Sequence, residues 1–197
     1  MRTVNIAAAA LLMAGASWLS ACSTMNDDMG AMSASAGTTV TVGGAPMYST
    51  RNIVENAVNS RDHTTLVAAV KAAGLVETLA GPGPFTVFAP TNAAFDRLPA
   101  GTVATLLRPE NKAMLQSVLT YHVVPGSMTA ANLMSAIRAG GGSARLTTVQ
   151  GGTLTARMSG RNIVLTDAKG GTSTVTQADV MQSNGVIHVT NAVSLPG

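Results

Sequence analysis

The spacing of hydrophobic positions changes near residue 140 of this 197-residue chain. Before that point, apolar residues mostly recur every three or four positions, which is the period of an amphipathic helix. After it, short runs of Val, Ile, Leu and Thr are separated by Gly-Gly, Ser-Gly and Asn-Gly, a pattern typical of antiparallel strands joined by tight turns. The chain is therefore predicted to place most of its helices before most of its strands.

Helices and strands are nevertheless predicted to interleave. Helical segments are expected at residues 50–60, 62–73, 75–80, 103–107 and 129–137, with a longer helix starting at Pro109. The side chains predicted to face the core in that longer helix are Met114, Leu115, Val118 and Leu119. Strands are expected at residues 85–88, 121–124, 146–149, 153–158, 162–166, 173–176 and 186–193. Because the first two strands lie among the helices, the pattern favours a single α+β domain.

The segment PFTVFAPTNAAFDRLP, residues 84–99, holds three of the six aromatic residues of the chain. Its apolar side chains at 85–88 point to both faces of a predicted strand, as in a strand that is covered on both sides. Thr91 is predicted to cap a short helical turn by accepting a hydrogen bond from the amide of Ala94. The segment is interpreted as a packed corner that builds the core and carries no chemistry.

The N-terminus has the features of an export signal. Arg2 is followed by an apolar run at residues 4–16 that is too short to span a membrane. The sequence LSAC at residues 19–22 resembles the bacterial lipobox, whose cysteine is lipidated before cleavage. Cys22 is the only cysteine of the chain, so it cannot form an internal disulfide. We predict a lipoprotein-type signal at residues 1–21 and lipidation of Cys22, with an ordinary secretory signal and an incidental cysteine as the alternative.

Residues 22–45 are rich in Ser, Ala, Gly, Thr and Met and lack a sustained apolar period. This composition predicts a flexible tether between the lipid and a folded domain at residues 46–197. The residue after Cys22 is Ser23 rather than Asp, and the sorting rule for such lipoproteins then favours the outer membrane. The predicted location is the cell envelope, facing the periplasm or the cell surface, with secretion as the alternative.

Charge excludes one class of partner and suggests another. A net charge of +3 and a charged fraction of 11% do not fit a nucleic-acid-binding protein, which usually has a basic stripe with aromatic stacking partners. The span 138–169 is nevertheless basic, and its single acid is Asp167. Its basic residues are able to share a sheet face and attract anionic polysaccharide or lipid headgroups, and a merely solvated face is the alternative. These candidate anion-binding residues are Arg138, Arg145, Arg157, Arg161 and Lys169.

The sequence offers little for catalysis or cofactor binding. His63, His122 and His188 have no second His, Cys or acid at a metal-ligand spacing such as HExxH. Gly-rich phosphate loops and a G-x-S-x-G elbow are also missing from the sequence. No enzyme, metal or cofactor is therefore predicted, although a Ser-His-Asp site assembled from distant residues stays open.

Three segments together resemble the fasciclin domain family. They are GPFTVFAPTNAAFDRLP from Gly83, LTYHVVPG from Leu119, and SNGVIHVTN from Ser183, which leads to Leu195-Pro196. The resemblance covers residues 47–196, the whole predicted domain. It implies a β-wedge of about seven strands in two sheets, flanked by N-terminal and central helices. It also implies adhesion or surface interaction outside cells, without a general catalytic activity.

The resemblance also draws attention to two short motifs. Tyr121 and His122 match a Tyr-His pair that is linked to integrin adhesion in animal members. Asp179 and Val180 occupy the place where the family often has an Asp-Ile pair, which is also discussed as an adhesion motif. Because an integrin is not a native partner for a bacterial lipoprotein, a structural role is the preferred interpretation. His122 is predicted to be a hydrogen-bonded core histidine within a strand, and His188 is interpreted in the same way.

The combined prediction is a non-catalytic adhesion or surface-interaction domain that is lipid-anchored at Cys22. Its predicted partner is a cell-surface or matrix component, either a protein or an anionic polysaccharide, and not nucleic acid. Its predicted link to the membrane is the lipid anchor. The alternative is a periplasmic binding module for a small apolar or anionic ligand.

Overall fold

The structure is a computed structural model that describes residues 39–197. Its helices are α1 (Ile53–Ala57), α2 (Thr64–Ala73), α3 (Val76–Ala80), α4 (Asn92–Phe95), α5 (Thr102–Leu106), α6 (Lys112–Tyr121) and α7 (Ala130–Ala139). Its strands are β1 (Thr39–Val42), β2 (Ala45–Tyr48), β3 (Phe85–Pro90), β4 (Val123–Pro125), β5 (Ser143–Thr147), β6 (Thr153–Ser159), β7 (Asn162–Thr166), β8 (Thr172–Gln182) and β9 (Gly185–Thr190). Within this range, no helix has the length and apolar character needed to cross a membrane.

The predicted N-terminal segments are only partly covered by the structure. The signal at residues 1–21, the lipidation site Cys22 and the tether up to residue 38 lie outside the described residues. Residues 39–45 were expected in the tether but form β1 and the start of β2, which pair as an antiparallel hairpin. The tether prediction is wrong for this stretch because Val42 and Ala45 are buried in the domain.

Seven strands form one sheet in the order β4-β3-β9-β8-β7-β6-β5. Neighbouring strands run antiparallel, except β3 and β9, which run parallel. The long strand β8 serves both halves of the sheet, since residues 172–174 pair with β7 and residues 175–182 pair with β9. Register shifts between Val175 and Val180 mark the irregular part of β8 between these halves. The predicted seven-stranded α+β wedge is confirmed, and the two sheets expected in it are the two halves of one sheet, which β8 joins.

Strand β3 separates two hydrophobic clusters. Val87 and Ala89 belong to the first cluster, which packs α1, α2, α3 and α6 against β3 and β9. Phe88 belongs to the second, between α7 and strands β5 to β7. The strand at 85–88 is therefore covered on both faces, as its apolar pattern predicts. Phe95 is also buried in the first cluster, which supports the prediction that this corner builds the core.

Asn184, in the turn between β8 and β9, connects the sheet to helices α1 and α3 through hydrogen bonds. Its Oδ1 accepts from the amide of Ile53 at 3.0 Å, and its Nδ2 donates to the carbonyls of Leu79 and Gly81 at 2.8 and 2.9 Å. A Cβ at Gly83 would overlap the carbonyl of Asn184, so glycine is required there. The first and third segments of the family resemblance are thus joined in space.

Helix α6 ends later than predicted. It continues through Tyr121, His122 is its C-cap, and β4 begins at Val123. The predicted strand at residues 121–124 is therefore wrong in its first half, because the buried helical position of Tyr121 outweighs the local strand preference. Met114 is 58% exposed and lies beside the buried stripe of α6, so its predicted core position is also wrong.

Thr91 is the N-cap of α4, as predicted, but it caps through its backbone. Its carbonyl accepts from the amide of Ala94 at 2.9 Å, whereas its side chain makes no capping hydrogen bond. The predicted side-chain bond is wrong because a helix of one turn is closed here by the main chain alone.

Candidate functional site

Tyr121 is completely buried at the end of α6. Its hydroxyl donates to the carbonyl of Thr153 at 2.7 Å and accepts from the amide of Ala168 at 3.0 Å. Burial raises the pKa of this phenol, which keeps it protonated and able to donate. Tyr121 therefore joins the end of α6 to β6 and to the turn between β7 and β8.

His122 connects α6 to the C-terminal segment. Its Nδ1–H donates to the carbonyl of Val118 at 2.8 Å, and its Nε2 accepts from the amide of Ser194 at 2.9 Å. These two bonds require the neutral ring with the proton on Nδ1. Burial lowers the pKa of His122, although the Val118 carbonyl and the Asp167 carboxylate oppose this shift. The prediction of a core histidine fixed by hydrogen bonds agrees with this geometry, but the ring lies at a helix end and not in a strand.

His188 has the opposite tautomer in the other half of the sheet. Its Nε2–H donates to the carbonyl of Met128 at 2.7 Å, and its Nδ1 accepts from the amide of Asp179 at 3.3 Å. The ring stacks on Phe88 with a centroid separation of 5.6 Å. Burial lowers the pKa of His188. This histidine holds the loop before α7 and the irregular part of β8 against β9.

Asp179 and Val180 lie in that irregular part of β8. Asp179 has a left-handed φ of 59°, and its carboxylate accepts from the amide of Ala130 at 2.7 Å. Ala130 is the first residue of α7, so the carboxylate caps a helix N-terminus, where negative charge is favourable. Val180 is 1% exposed and packs in the first hydrophobic cluster.

The four motif residues therefore belong to the interior of the domain in this structure. The exposed fraction is 0% for Tyr121, 3% for His122 and 1% for Val180. Asp179 is half-buried, and its carboxylate is engaged by a helix N-terminus. A rigid partner has no access to the polar groups of this network, so the contact surface has to be sought elsewhere on the domain.

The candidate basic residues are exposed, and two of them are neighbours. Arg145 on β5 pairs with Thr155 on β6, and Ser143 on β5 pairs with Arg157 on β6. This register places Arg145 and Arg157 diagonally on the same face, within reach of one another for side chains of this length. The structure therefore brings these two arginines together on adjacent strands.

The other three basic residues lie at the ends of this part of the sheet. Arg161 lies in the turn between β6 and β7, at the end that also holds Ser143 and Arg157. Arg138 is in the last turn of α7, just before the loop that enters β5 at this end. Lys169 lies in the turn between β7 and β8, at the opposite end. The predicted five-residue set is therefore a pair of arginines with two basic neighbours and one distant lysine.

Threonine side chains surround the arginine pair. In β5 to β7, alternate residues such as Leu146, Leu154 and Leu165 are buried, so the intervening residues point outward. We call this outer surface the arginine–threonine face. Its arginine and threonine members are Arg145, Thr147, Thr153, Thr155, Arg157, Thr166, Thr172 and Thr174, and Val164 lies on the same face between Arg157 and Thr174. Sequence reasoning missed the threonines, although the strict alternation in SARLT and TLTAR was a signal for them.

The acids of this half of the domain do not neutralise the face. Between residues 130 and 197 the only acids are Asp167 and Asp179. Asp167 is 9% exposed, and its oxygens accept from the amides of Lys169, Gly171 and Leu195 at 3.0, 2.7 and 2.9 Å. Because Asp167 is buried and Asp179 is half-buried with its carboxylate bonded to a backbone amide, the fully exposed charged side chains of residues 130–197 are all basic. No group of three or more His, Cys, Asp and Glu residues that suits a metal is present within residues 39–197.

Comparison with known proteins identifies the family. The fasciclin domain model matches residues 61–196. A protein of Synechocystis named sll1483 is 50% identical over 148 residues, which is 75% of each chain. Transforming growth factor-beta-induced protein ig-h3 of Sus scrofa is 40% identical over 131 residues, which is 66% of this chain and 17% of that protein.

The fold is also similar to a solved structure, a FAS1 domain pair from the insect cell adhesion molecule fasciclin I. The TM-score is 0.66 with 17% identity, over 73% of this chain and 50% of the other. Fasciclin domains are generally non-catalytic adhesion or surface-interaction modules of extracellular or surface proteins. The family model covers more than half of the chain and all three motif segments, and the chain belongs to the fasciclin domain family.

Proposed function

We propose that this protein is a lipid-anchored adhesion domain that binds anionic polysaccharide through the arginine–threonine face. The observation that supports this is the charge asymmetry of the domain. All five acids of residues 51–112 are exposed, whereas both acids of residues 130–197 are bonded to backbone amides. Residues 130–197 therefore attract an anionic polymer through their exposed basic side chains. Exposed carboxylates repel it less there than in the rest of the domain.

The chemistry of the face fits a polymer with carboxylate or sulfate groups. A guanidinium presents several N–H donors in a planar fork and binds carboxylates in a bidentate manner. Threonine hydroxyls both donate and accept, as the hydroxyls of a sugar do. The backbone that carries these groups is already ordered, because strands β5 to β7 form a hydrogen-bonded sheet. Binding therefore costs little backbone conformational entropy.

Reversing the charge of the arginine pair tests this surface. The double variant Arg145→Glu/Arg157→Glu is expected to weaken binding to alginate about tenfold, because two exposed attractive contacts become repulsive. Binding of the parent should also weaken with added salt, because solvent-exposed charges are screened. Biolayer interferometry with immobilised alginate, and with neutral dextran as a reference, measures both effects.

The matched control is Arg61→Glu/Arg108→Glu, which makes the same change in net charge on exposed residues of the helical half. This control should bind alginate as the parent does. If both double variants bind alginate equally more weakly than the parent, only the net charge matters. That result would overturn the assignment of the binding site to the arginine–threonine face. Binding of the parent to phosphatidylglycerol vesicles but not to alginate would overturn the polysaccharide as the partner.

The anchor is tested separately. Cys22→Ala is expected to move the protein from the membrane fraction to the soluble fraction, since the lipid chains supply the stable hold on the bilayer. The neighbouring change Ser23→Ala keeps the thiol and should leave the protein in the membrane fraction. Fractionation followed by immunoblotting measures this, and a Cys22→Ala protein that stays in the membrane would contradict lipid anchoring.

A further inference from the structure

Asn184 and Gly185 form the only Asn-Gly pair of the sequence, and they lie where β8 turns into β9. This dipeptide is chemically labile in a flexible chain, because the amide nitrogen of the glycine is able to attack the side-chain carbonyl carbon of the asparagine. Glycine has no side chain to hinder that approach, and its backbone adopts the required conformation easily. The pair is therefore a candidate modification site wherever the chain is free to bring these two atoms together.

The fold requires the glycine of this pair. A Cβ at Gly185 would overlap the carbonyl of Phe85 on the neighbouring strand β3. Gly185 pairs with Phe85 in the parallel ladder between β3 and β9, and with Gln182 in the antiparallel ladder between β8 and β9. A larger residue would push β3 and β9 apart, so substitution of the glycine costs this strand contact.

The fold also requires the amide of the asparagine. Oδ1 of Asn184 accepts from the amide of Ile53 at 3.0 Å, while Nδ2 donates to the carbonyls of Leu79 and Gly81 at 2.8 and 2.9 Å. An ionised aspartate accepts hydrogen bonds but donates none, so it would leave both carbonyls facing a negative charge. The turn therefore depends on the two residues that make it labile.

The folded structure holds the reacting atoms in place. Three hydrogen bonds fix both ends of the Asn184 side chain against α1 and α3. The main-chain carbonyl of Asn184 accepts from the amide of Phe85 at 3.1 Å, and the nitrogen of Gly185 belongs to the same planar peptide group. The attack requires this peptide to rotate relative to the side chain, so these bonds have to break first.

We propose that Asn184 is a site of spontaneous deamidation that is protected in the folded domain and reacts when the turn between β8 and β9 separates from α1 and α3. The amide nitrogen of Gly185 forms a bond to Cγ of Asn184, the bond from Cγ to Nδ2 breaks, and the side-chain nitrogen leaves with the glycine proton as ammonia. Water then opens the succinimide ring at either carbonyl, which gives aspartate or isoaspartate. Water is the sole co-reactant.

Either product makes opening of the domain irreversible. Aspartate removes the two hydrogen bonds to α3 and its C-cap, and isoaspartate adds a methylene to the backbone between β8 and β9. The added methylene displaces β9 from its register with β3. The lifetime of the native protein is then set by how often this turn opens, which is a kinetic and not an equilibrium property.

Peptide mapping by mass spectrometry tests the protection. The full chain is incubated at neutral pH in buffer and in guanidinium chloride above the unfolding midpoint, and isoaspartate methyltransferase reports isoaspartate. Conversion of Asn184 is expected to be at least about a hundredfold slower in buffer, because only the small open fraction reacts. Equal rates under the two conditions would overturn protection by the fold, and no conversion in denaturant would overturn the labile site.

Refolding tests the consequence. After increasing times in denaturant the protein is diluted, and the recovered native fraction is expected to fall in step with unmodified Asn184. Asn59→Gln removes an exposed Asn-Ser pair, so it controls for deamidation elsewhere and should lose recovery at the rate of the parent. Complete recovery while Asn184 is converted would overturn the inference that deamidation blocks refolding.

A substitution tests the need for the amide directly. Asn184→Asp is expected to lower the melting temperature by about 10 °C, because two buried carbonyls lose their donor. The matched control Asn162→Asp makes the same change at an exposed position in another strand turn and should leave the melting temperature nearly unchanged. Failure of Asn184→Asp alone to fold supports the same assignment, whereas equal shifts in both variants would overturn it.

Discussion

Replacing His122 by Ala is expected to lower the free energy of unfolding by about 3 kcal/mol, from the cavity left by the ring and the loss of two buried hydrogen bonds. The amide of Ser194 would lose its acceptor, and the carbonyl of Val118 would lose the imidazole donor. Both groups are in the buried part of the domain. Urea denaturation followed by circular dichroism measures the change as a shift of the midpoint at constant slope.

The comparison with His122→Gln separates packing from hydrogen bonding. The Gln Oε1 is able to replace the imidazole Nε2 as the acceptor for Ser194, so this variant should recover part of the loss. Alginate binding by both variants should equal that of the parent at a temperature where they are folded. A His122→Ala protein with normal unfolding but without binding would show that this motif is a contact site and not a structural one.

The free energy of unfolding is expected to fall steeply as the pH drops below about 6.5, the ordinary pKa of histidine. Burial lowers the pKa of His63, His122 and His188 in the folded protein. The unfolded chain therefore binds more protons than the folded one between these lowered values and about 6.5. Stability is complete above this range and is lost on acidification by up to about 1.4 kcal/mol per pH unit for each histidine.

The structural basis of this sensitivity differs among the three rings. Protonation of His122 removes the acceptor of the Ser194 amide, and protonation of His188 removes the acceptor of the Asp179 amide. At His63 the charge would arise beside buried apolar side chains of the first hydrophobic cluster. If the three effects add, the combined slope is about 4 kcal/mol per pH unit, which is large against the 5–15 kcal/mol of a typical domain.

Urea denaturation at pH values from 8 to 5 measures this slope. His122→Gln should reduce the slope by about a third, and a surface change such as Lys169→Gln should leave it unchanged. A free energy of unfolding that is constant from pH 7.5 to 5.5 would contradict neutral burial of the three histidines.

Local patterns were enough to predict most elements of the fold. The two-sided apolar run at residues 85–88 identified β3 as a covered strand, and the glycine-bounded runs identified β6 and β7. These features depend on neighbours in sequence, because side-chain period and turn chemistry are local properties. The errors at Tyr121 and in residues 39–45 arose where tertiary burial decided the outcome. Propensity carries no information about such distant contacts.

The candidate surfaces depended even more on distant contacts. The basic residues of 138–169 were visible in the sequence, but only strand register made Arg145 and Arg157 neighbours and left Lys169 at the other end. Sequence also could not show that Asp167 and Asp179 are engaged by backbone amides.

The fold class, the family and the chemical types available on each strand follow from the sequence, since side-chain periodicity and motif order are properties of the chain alone. Which of these groups are free to contact a partner depends on long-range packing. Tyr121 and His122 lie adjacent in sequence, but their bonds reach Ala168 and Ser194, far along the chain. Those long-range bonds make the motif part of the scaffold, because a buried polar group has to find its partner wherever the fold brings one.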